Sequence, residues 1–243
     1  MDREDRVCPT GGECRGAYGQ LILASGTANE DLAEGIARHL ETGLLSRKIH
    51  KFDNTNTYVQ LLRSVRGADV FWVQPTAAPA NDNLMELLIA VDTLRRDSAA
   101  RITAVVPYYG YGRSDKKDKP RVPITARLVA DMITVAGADR VLTMDLHAGQ
   151  IQGFFHIPVD EITARRLLAA RLDGRDRSKL VVVAPDTGVV RSARHFAEEV
   201  GAGARFTMDG NEQYRDVASF RDHWERLLGV PEIAKFVREG LLL

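Results

Sequence analysis

Long hydrophobic runs, cysteine and net charge are what this sequence has least of, and each shortage excludes a class of protein. No apolar run approaches the roughly 18 residues of a membrane-spanning helix. The N-terminal stretch MDREDRVCPTGGECRGAYG is polar and has no apolar centre of the signal-peptide kind. The expected location is therefore cytoplasmic, with no membrane partner. Cysteine occurs only at Cys8 and Cys14, both in this stretch. They could pair or share a metal, but two free thiols on a disordered leader, residues 1–18, is the simpler reading. The 33 basic side chains balance the 33 acidic ones. Nothing global then draws the chain to nucleic acid, and any phosphate chemistry has to come from local clusters.

What is there is a core-forming chain. Its 243 residues, 44% of them hydrophobic, suffice for one large domain or two small ones. Short apolar runs alternate with amphipathic segments. The runs predict strands over residues 20–24, 48–52, 70–74, 102–106, 140–144 and 180–184. The 3.6-residue periodicity predicts helices over 30–41, 83–96, 124–136, 164–171 and 189–199. This alternation predicts an α/β fold with a mainly parallel sheet flanked by helices. Such sheets carry ligand sites at the carboxyl ends of their strands.

Four such places are polar. PYYGYGRSDKKDKPRVPIT, 107–125, holds Arg113, Lys116, Lys117, Lys119 and Arg121 among glycines and prolines. It is either a solvated loop or a site for a polyanion, since phosphoryl-transfer sites need cations around a polyphosphate. TMDLHAGQIQGFF, 143–155, ends a strand in Asp145 and His147, which period-two alternation would place on one side. The pair could hold a divalent cation, exchange a proton, or simply cap the next helix. In VVVAPDTGVVR, Asp186 could ligate a metal beside an anion at the next helix, or cap that helix. In KFDNTNTY, Phe52 offers a stacking face and Asn54 and Asn56 offer amides; a hairpin turn around Asp53–Thr55 would use the same residues.

Taken together and in order, these segments resemble the N-terminal half of ribose-phosphate pyrophosphokinase, also called phosphoribosyl pyrophosphate synthetase. The matching runs are SVRGADVF, NDNLMELL, AVVPYYGYGRSDKKDKPR, PITARLVADM, GADRVLTMDLHAGQIQGFFHIPVD and VVVAPDTG. The resemblance implies a phosphoribosyltransferase-like fold and transfer of diphosphate from Mg-ATP to ribose 5-phosphate. It implies that Phe52, Asn54 and Asn56 meet adenine, reaching across to a neighbouring subunit. Arg113, Ser114, Asp115, Lys116 and Lys117 would lie along the ATP phosphates and ribose, with Arg113 and His147 catalytic. His147 and Asp186 would hold Mg²⁺. Ser64, Arg66, Arg121 and Gln152 match a regulatory phosphate site. Family members are homo-oligomers, and NDNLMELL lies in the half that makes those contacts.

The sequence also departs from the family. Ser114 stands where Gln is usual and Asn56 where Glu is usual. Asp209 falls where a transition-state lysine is expected, and a carboxylate there would repel a triphosphate. No strand ends in paired aspartates followed by Thr, Gly and Thr, the family's cradle for the ribose 5-phosphate. The expected organisation is a pyrophosphokinase-like domain over 19–160, a truncated second domain over 161–208, and an unrelated helical tail over 209–243. Two functions are compatible with this pattern: a divergent diphosphokinase, or an inactive subunit that binds nucleotide and regulates or scaffolds a complete synthetase.

Overall fold

The structure is a computed structural model, which describes residues 15–16, 18–172, 175–176, 180–184 and 187–206. The chain divides into two compact units, Met1–Ala164 and Arg165–Leu243. The expected leader and tail lie outside the described residues, apart from a few leader positions. No described helix is long and apolar enough to cross a membrane.

The first unit is built on a six-stranded sheet. A short β1 (Arg15–Gly16) runs antiparallel to β2 (Gly19–Ser25). Outward from β2, the chain adds β5 (Asp69–Val73), β6 (Arg101–Val106), β7 (Arg140–Met144) and β8 (Val159–Ile162), all parallel. Between β2 and β5 come α1 (Glu30–His39) and an antiparallel hairpin of β3 (Arg47–Lys51) and β4 (Thr57–Leu61). Helix α2 (Ala80–Arg96) links β5 to β6, and α3 (Thr125–Ala136) links β6 to β7.

Alternation along the strands sorts the core into two faces. Ile22, Val70, Trp72, Ile102, Ala104 and Val141 share one cluster with Leu87, Val91 and Leu94 of α2 and Val129 and Ile133 of α3. Leu23, Val73 and Val105 form a second cluster with Ala33 and Ala37 of α1. Both faces of the central strands are thus buried, which is why their sequences read as continuous apolar runs. Leu44 bridges Leu23 on the side of β2 away from β5. The chain therefore leaves β2 in one direction through α1 and returns in the other to β5, which makes the β2–β5 junction a topological switch point.

In the second unit, α4 (Arg165–Ala170) and α5 (Val190–Val200) accompany a parallel pair, β9 (Val181–Ala184) and β10 (Gly203–Phe206). Glu199 lies 3.9 Å from Arg165 and 3.4 Å from Arg166.

The α/β class and the mainly parallel sheet stand as expected from the sequence. Strands β1, β4, β8 and β10 are additions to the expected set, and the run at 48–52 belongs to an antiparallel hairpin instead of a central parallel strand.

Candidate functional site

The loop after β6 is pinned at four points; Arg113 lies between them and the other cations follow the last. Tyr109 turns inward, its hydroxyl donating to the Ala126 carbonyl at 2.8 Å and its ring edge meeting Phe155 at a centroid distance of 5.7 Å. Burial, aided by the charge of Asp131, holds the Tyr109 phenol well above the usual tyrosine range. Gly110 N donates to Thr76 Oγ1 at 2.7 Å, and a Cβ at this position would come within 2.6 Å of the Thr76 carbonyl oxygen. Only glycine fits that approach. Ser114 closes the loop onto α3: its Oγ accepts from Thr125 N at 3.2 Å and its carbonyl from Ala126 N at 3.1 Å. Asp115, only 7% exposed, accepts from Gln150 Nε2 at 2.9 Å. Arg113, Lys116, Lys117, Lys119 and Arg121 remain exposed, and no ion pair with a described residue engages them.

The segment after β7 is held by two acids. Asp145 adopts a left-handed conformation, φ +44°, and its Oδ2 accepts from Ala164 N at 3.0 Å. Glu161 on β8 accepts from Leu146 N at 2.9 Å and from Gln152 Nε2 at 2.5 Å. The extended alternation that would have aligned Asp145 with His147 ends at Met144. Asp145 serves the backbone; both it and His147 are exposed. His147 adjoins the cationic loop, since a Cβ added at Gly112 would lie 3.7 Å from its Cβ. The loops after β6 and β7 thus meet twice, at Gly112–His147 and at Asp115–Gln150, because their strands are neighbours in the sheet.

The hairpin tip takes the form of a turn. Phe52 N donates to the Asn56 carbonyl at 2.9 Å, and Asn54 Oδ1 accepts from Asn56 N at 3.1 Å. Thr55 supplies the left-handed residue, φ +67°. Phe52, 51% exposed, stacks edge-on against His50 at 4.9 Å and Tyr58 at 5.8 Å. Sequence reading finds Phe52 but not its two ring neighbours, which cross-strand pairing of His50 with Tyr58 brings together.

The four residues matched to a regulatory phosphate site do not meet within one chain. Ser64 and Arg66 precede β5, at the amino ends of the parallel strands, where Ser64 Oγ donates to Asp97 Oδ2 at 2.9 Å. A groove of about 430 Å³ opens there, lined by Arg63, Ser64, Arg96 and Asp97 among others. Arg121 and Gln152 lie at the opposite, carboxyl ends.

The first turns of α2 carry side chains that sequence reading passes over. Glu86, 5% exposed, accepts from Thr27 N at 2.6 Å and from Thr27 Oγ1 at 2.8 Å. Asn83 Nδ2 donates to the Ala77 carbonyl at 2.9 Å. Asp82 pairs with Lys51 Nζ at 2.6 Å, and Asn81 Oδ1 accepts from the Tyr111 hydroxyl. The signal that could have found them is an acid and an amide at helical positions otherwise apolar.

Asp186 and Asp209 lie outside the described residues. Among the described residues no group of three or more His, Cys, Asp or Glu could by itself hold a metal ion. A cation at His147 would have to take most of its ligands from phosphates and water, which is the habit of Mg²⁺.

Comparison with known proteins agrees with this architecture. Residues 21–137 match the N-terminal domain of ribose phosphate pyrophosphokinase. Ribose-phosphate pyrophosphokinase of Wolinella succinogenes is 50% identical over 179 residues, 74% of this chain and 58% of the relative. That of Granulibacter bethesdensis is 53% identical over 181 residues, 73% of this chain and 57% of the relative. The crystal structure of phosphoribosylpyrophosphate synthetase from Mycobacterium smegmatis superposes with a TM-score of 0.75 at 43% identity, covering 79% of this chain and 65% of that one. The chain thus spans less than three fifths of the length of these two curated relatives. Residues 21–137 thus carry a domain of the kind found at the N-terminus of ribose phosphate pyrophosphokinase.

Proposed function

We propose that the chain binds Mg-ATP at the carboxyl ends of β6 and β7 and serves transfer of diphosphate to ribose 5-phosphate. One observation carries this reading: five exposed cations, unpaired among the described residues, stand in a loop anchored at Ser114 to α3 and at Asp115 to the loop bearing an exposed His147. Cations held on fixed backbone, with little reorganisation left to do, are what a polyphosphate transition state needs.

Arg113, Lys116 and Lys117 would neutralise the phosphate oxygens. Asp115 and Ser114, although matched to the nucleotide site, would act by holding the loop, since both are committed to internal hydrogen bonds. Phe52 would stack on the base with its exposed face, beside Asn54 and Asn56. His147 is the described residue that would hold Mg²⁺; Asp186, assigned to the metal by resemblance, lies outside the described residues. Bound Mg²⁺ supplies charge neutralisation and polarises the β-phosphorus toward the sugar hydroxyl. An anion bound by Ser64, Arg66, Arg121 and Gln152 together would need more than one copy of the chain, because one copy places them at opposite ends of its sheet.

The relatives are named as pyrophosphokinases, which favours the enzymatic reading over an inactive scaffold. The test is AMP release from Mg-ATP with ribose 5-phosphate, beside a calorimetric titration with Mg-ATP. Turnover that His147→Ala abolishes is the expected result. Binding without turnover would overturn the enzymatic half of the proposal, and absence of binding would overturn the whole.

A further inference from the structure

The motif NDNLMELL, residues 81–88, takes no part in phosphate binding as proposed, yet the structure gives its polar side chains two opposed tasks. Asn83 and Glu86 are buried and anchor α2 from within, to the Ala77 carbonyl and to Thr27. Gln74, fully buried, adds a bond from its Nε2 to the Asn83 carbonyl at 3.3 Å. Asn81 and Asp82, adjacent in sequence, reach outward in two directions. Asp82 takes Lys51, the residue just before Phe52, and Asn81 takes Tyr111, inside the cationic loop.

We propose that this first turn of α2 is a clamp: it fixes the aromatic hairpin tip relative to the cationic loop, and so favours phosphate ligands that also carry a base. The proposal rests on the nucleotide-binding reading of the site. Its physical basis is preorganisation. A hairpin tip and a loop that both moved freely would each have to be ordered on binding, and that ordering subtracts from affinity. Two tethers on one helical turn remove part of that loss, and the buried bonds of Asn83 and Glu86 keep the turn itself in place. Neither tether is strong alone, since Lys51 and Asp82 are half exposed. Their effect is on geometry. If the tip reaches a second copy of the chain, the same turn ties one copy's phosphate loop to its neighbour's base site.

Asn81, Asp82, Lys51 and Tyr111 are positioning residues, and their test compares a ligand with a base to one without. Mg-ATP and Mg-tripolyphosphate are titrated calorimetrically into the wild-type protein and into Asp82→Asn, Asp82→Glu and Tyr111→Phe. Asp82→Asn and Tyr111→Phe should each weaken ATP about two- to fivefold, the scale of a half-exposed contact. Tripolyphosphate affinity should be unchanged, and Asp82→Glu should keep most of the ATP affinity. Equal losses for both ligands, or none for ATP, would overturn the clamp while leaving the nucleotide reading intact. Hydrogen exchange decides the same point without ligand. The Phe52 and Thr55 amides, bonded within the tip, should exchange faster in Asp82→Asn, and unchanged rates overturn the clamp. Wild-type protein that binds neither ligand refutes the nucleotide reading, and the ligand-selecting role falls with it.

Discussion

Gln150 Nε2 donates a 2.9 Å hydrogen bond to the Asp115 carboxylate, joining the loop after β6 to the loop after β7. Among the described residues, no other hydrogen bond between side chains ties the cationic loop to the His147 segment, so its removal should loosen one against the other. Asp115→Ala should lower stability by about 1 kcal/mol, the net worth of such a bond. Mg-ATP affinity should fall about tenfold, because the cations lose their fixed origin. Asp115→Asn, which keeps an acceptor, should recover most of both. Thermal unfolding and calorimetric titration give the two values, and unchanged ATP affinity in Asp115→Ala would remove the loop-holding role.

A methyl group at position 110 has nowhere to go. Gly110→Ala would bring a Cβ to 2.6 Å from the Thr76 carbonyl oxygen and 3.0 Å from its Oγ1. The loop must then back away and lose the bond from Gly110 N. We expect destabilisation of about 1–3 kcal/mol, with impaired Mg-ATP binding, measured by denaturant unfolding and titration. An alanine variant as stable as wild type would show that the loop relaxes at no cost.

Lys116 and Lys117 pose the converse case. Both are exposed, so replacing them with alanine should shift stability by no more than about 0.5 kcal/mol. Mg-ATP affinity should nevertheless fall, and its dependence on salt should flatten, because exposed charges act through a screened field. Affinity and salt slope both equal to wild type would take the two lysines out of the site.

Tyr109 gives the fold a sensitivity to high pH. Its folded-state pKa is raised by burial, so below the ordinary tyrosine value of about 10 both folded and unfolded states hold the proton and its contribution is complete. Above about pH 10 the unfolded chain ionises while the folded one does not, so stability declines by up to ~1.4 kcal/mol per pH unit. Tyr109→Phe should be less stable at pH 8 by about 1 kcal/mol, having lost the bond to Ala126. Its deficit should shrink as pH rises past 10. A constant difference from pH 8 to 11, read by denaturant unfolding, would contradict this.

How far the sequence reveals the fold depends on burial. Strands β2, β5 and β6 are covered on both faces and β7 fully on one, so they read as apolar runs, and the polar loops at their carboxyl ends stand out against them. Strand β8, VDEI, does not stand out, because its acids work sideways: Asp160 pairs with Arg140, and Glu161 holds Leu146 and Gln152. The hairpin strand β4 is hidden for a related reason, being short and only half covered. The left-handed turn at Asp145 leaves no trace in residue types, so alternation is carried one residue too far. The polar residues of α2 are visible but look solvent-facing. Helical spacing puts Asn83 and Glu86 on the same buried side as Leu87 and Ala90, and that mismatch is the clue.

The carboxylate of Glu86 has a consequence for where an anion can go. It lies against Thr27, just ahead of α1, at the junction where the chain reverses direction across its sheet. In open α/β sheets such a junction, with its unfilled N–H groups, is where a phosphate commonly docks. Here the molecule has put its own anion in that seat. A phosphate arriving there would meet a resident negative charge and find Thr27's donors already taken. One crevice is closed from within, and the cations after β6 are left without a competitor.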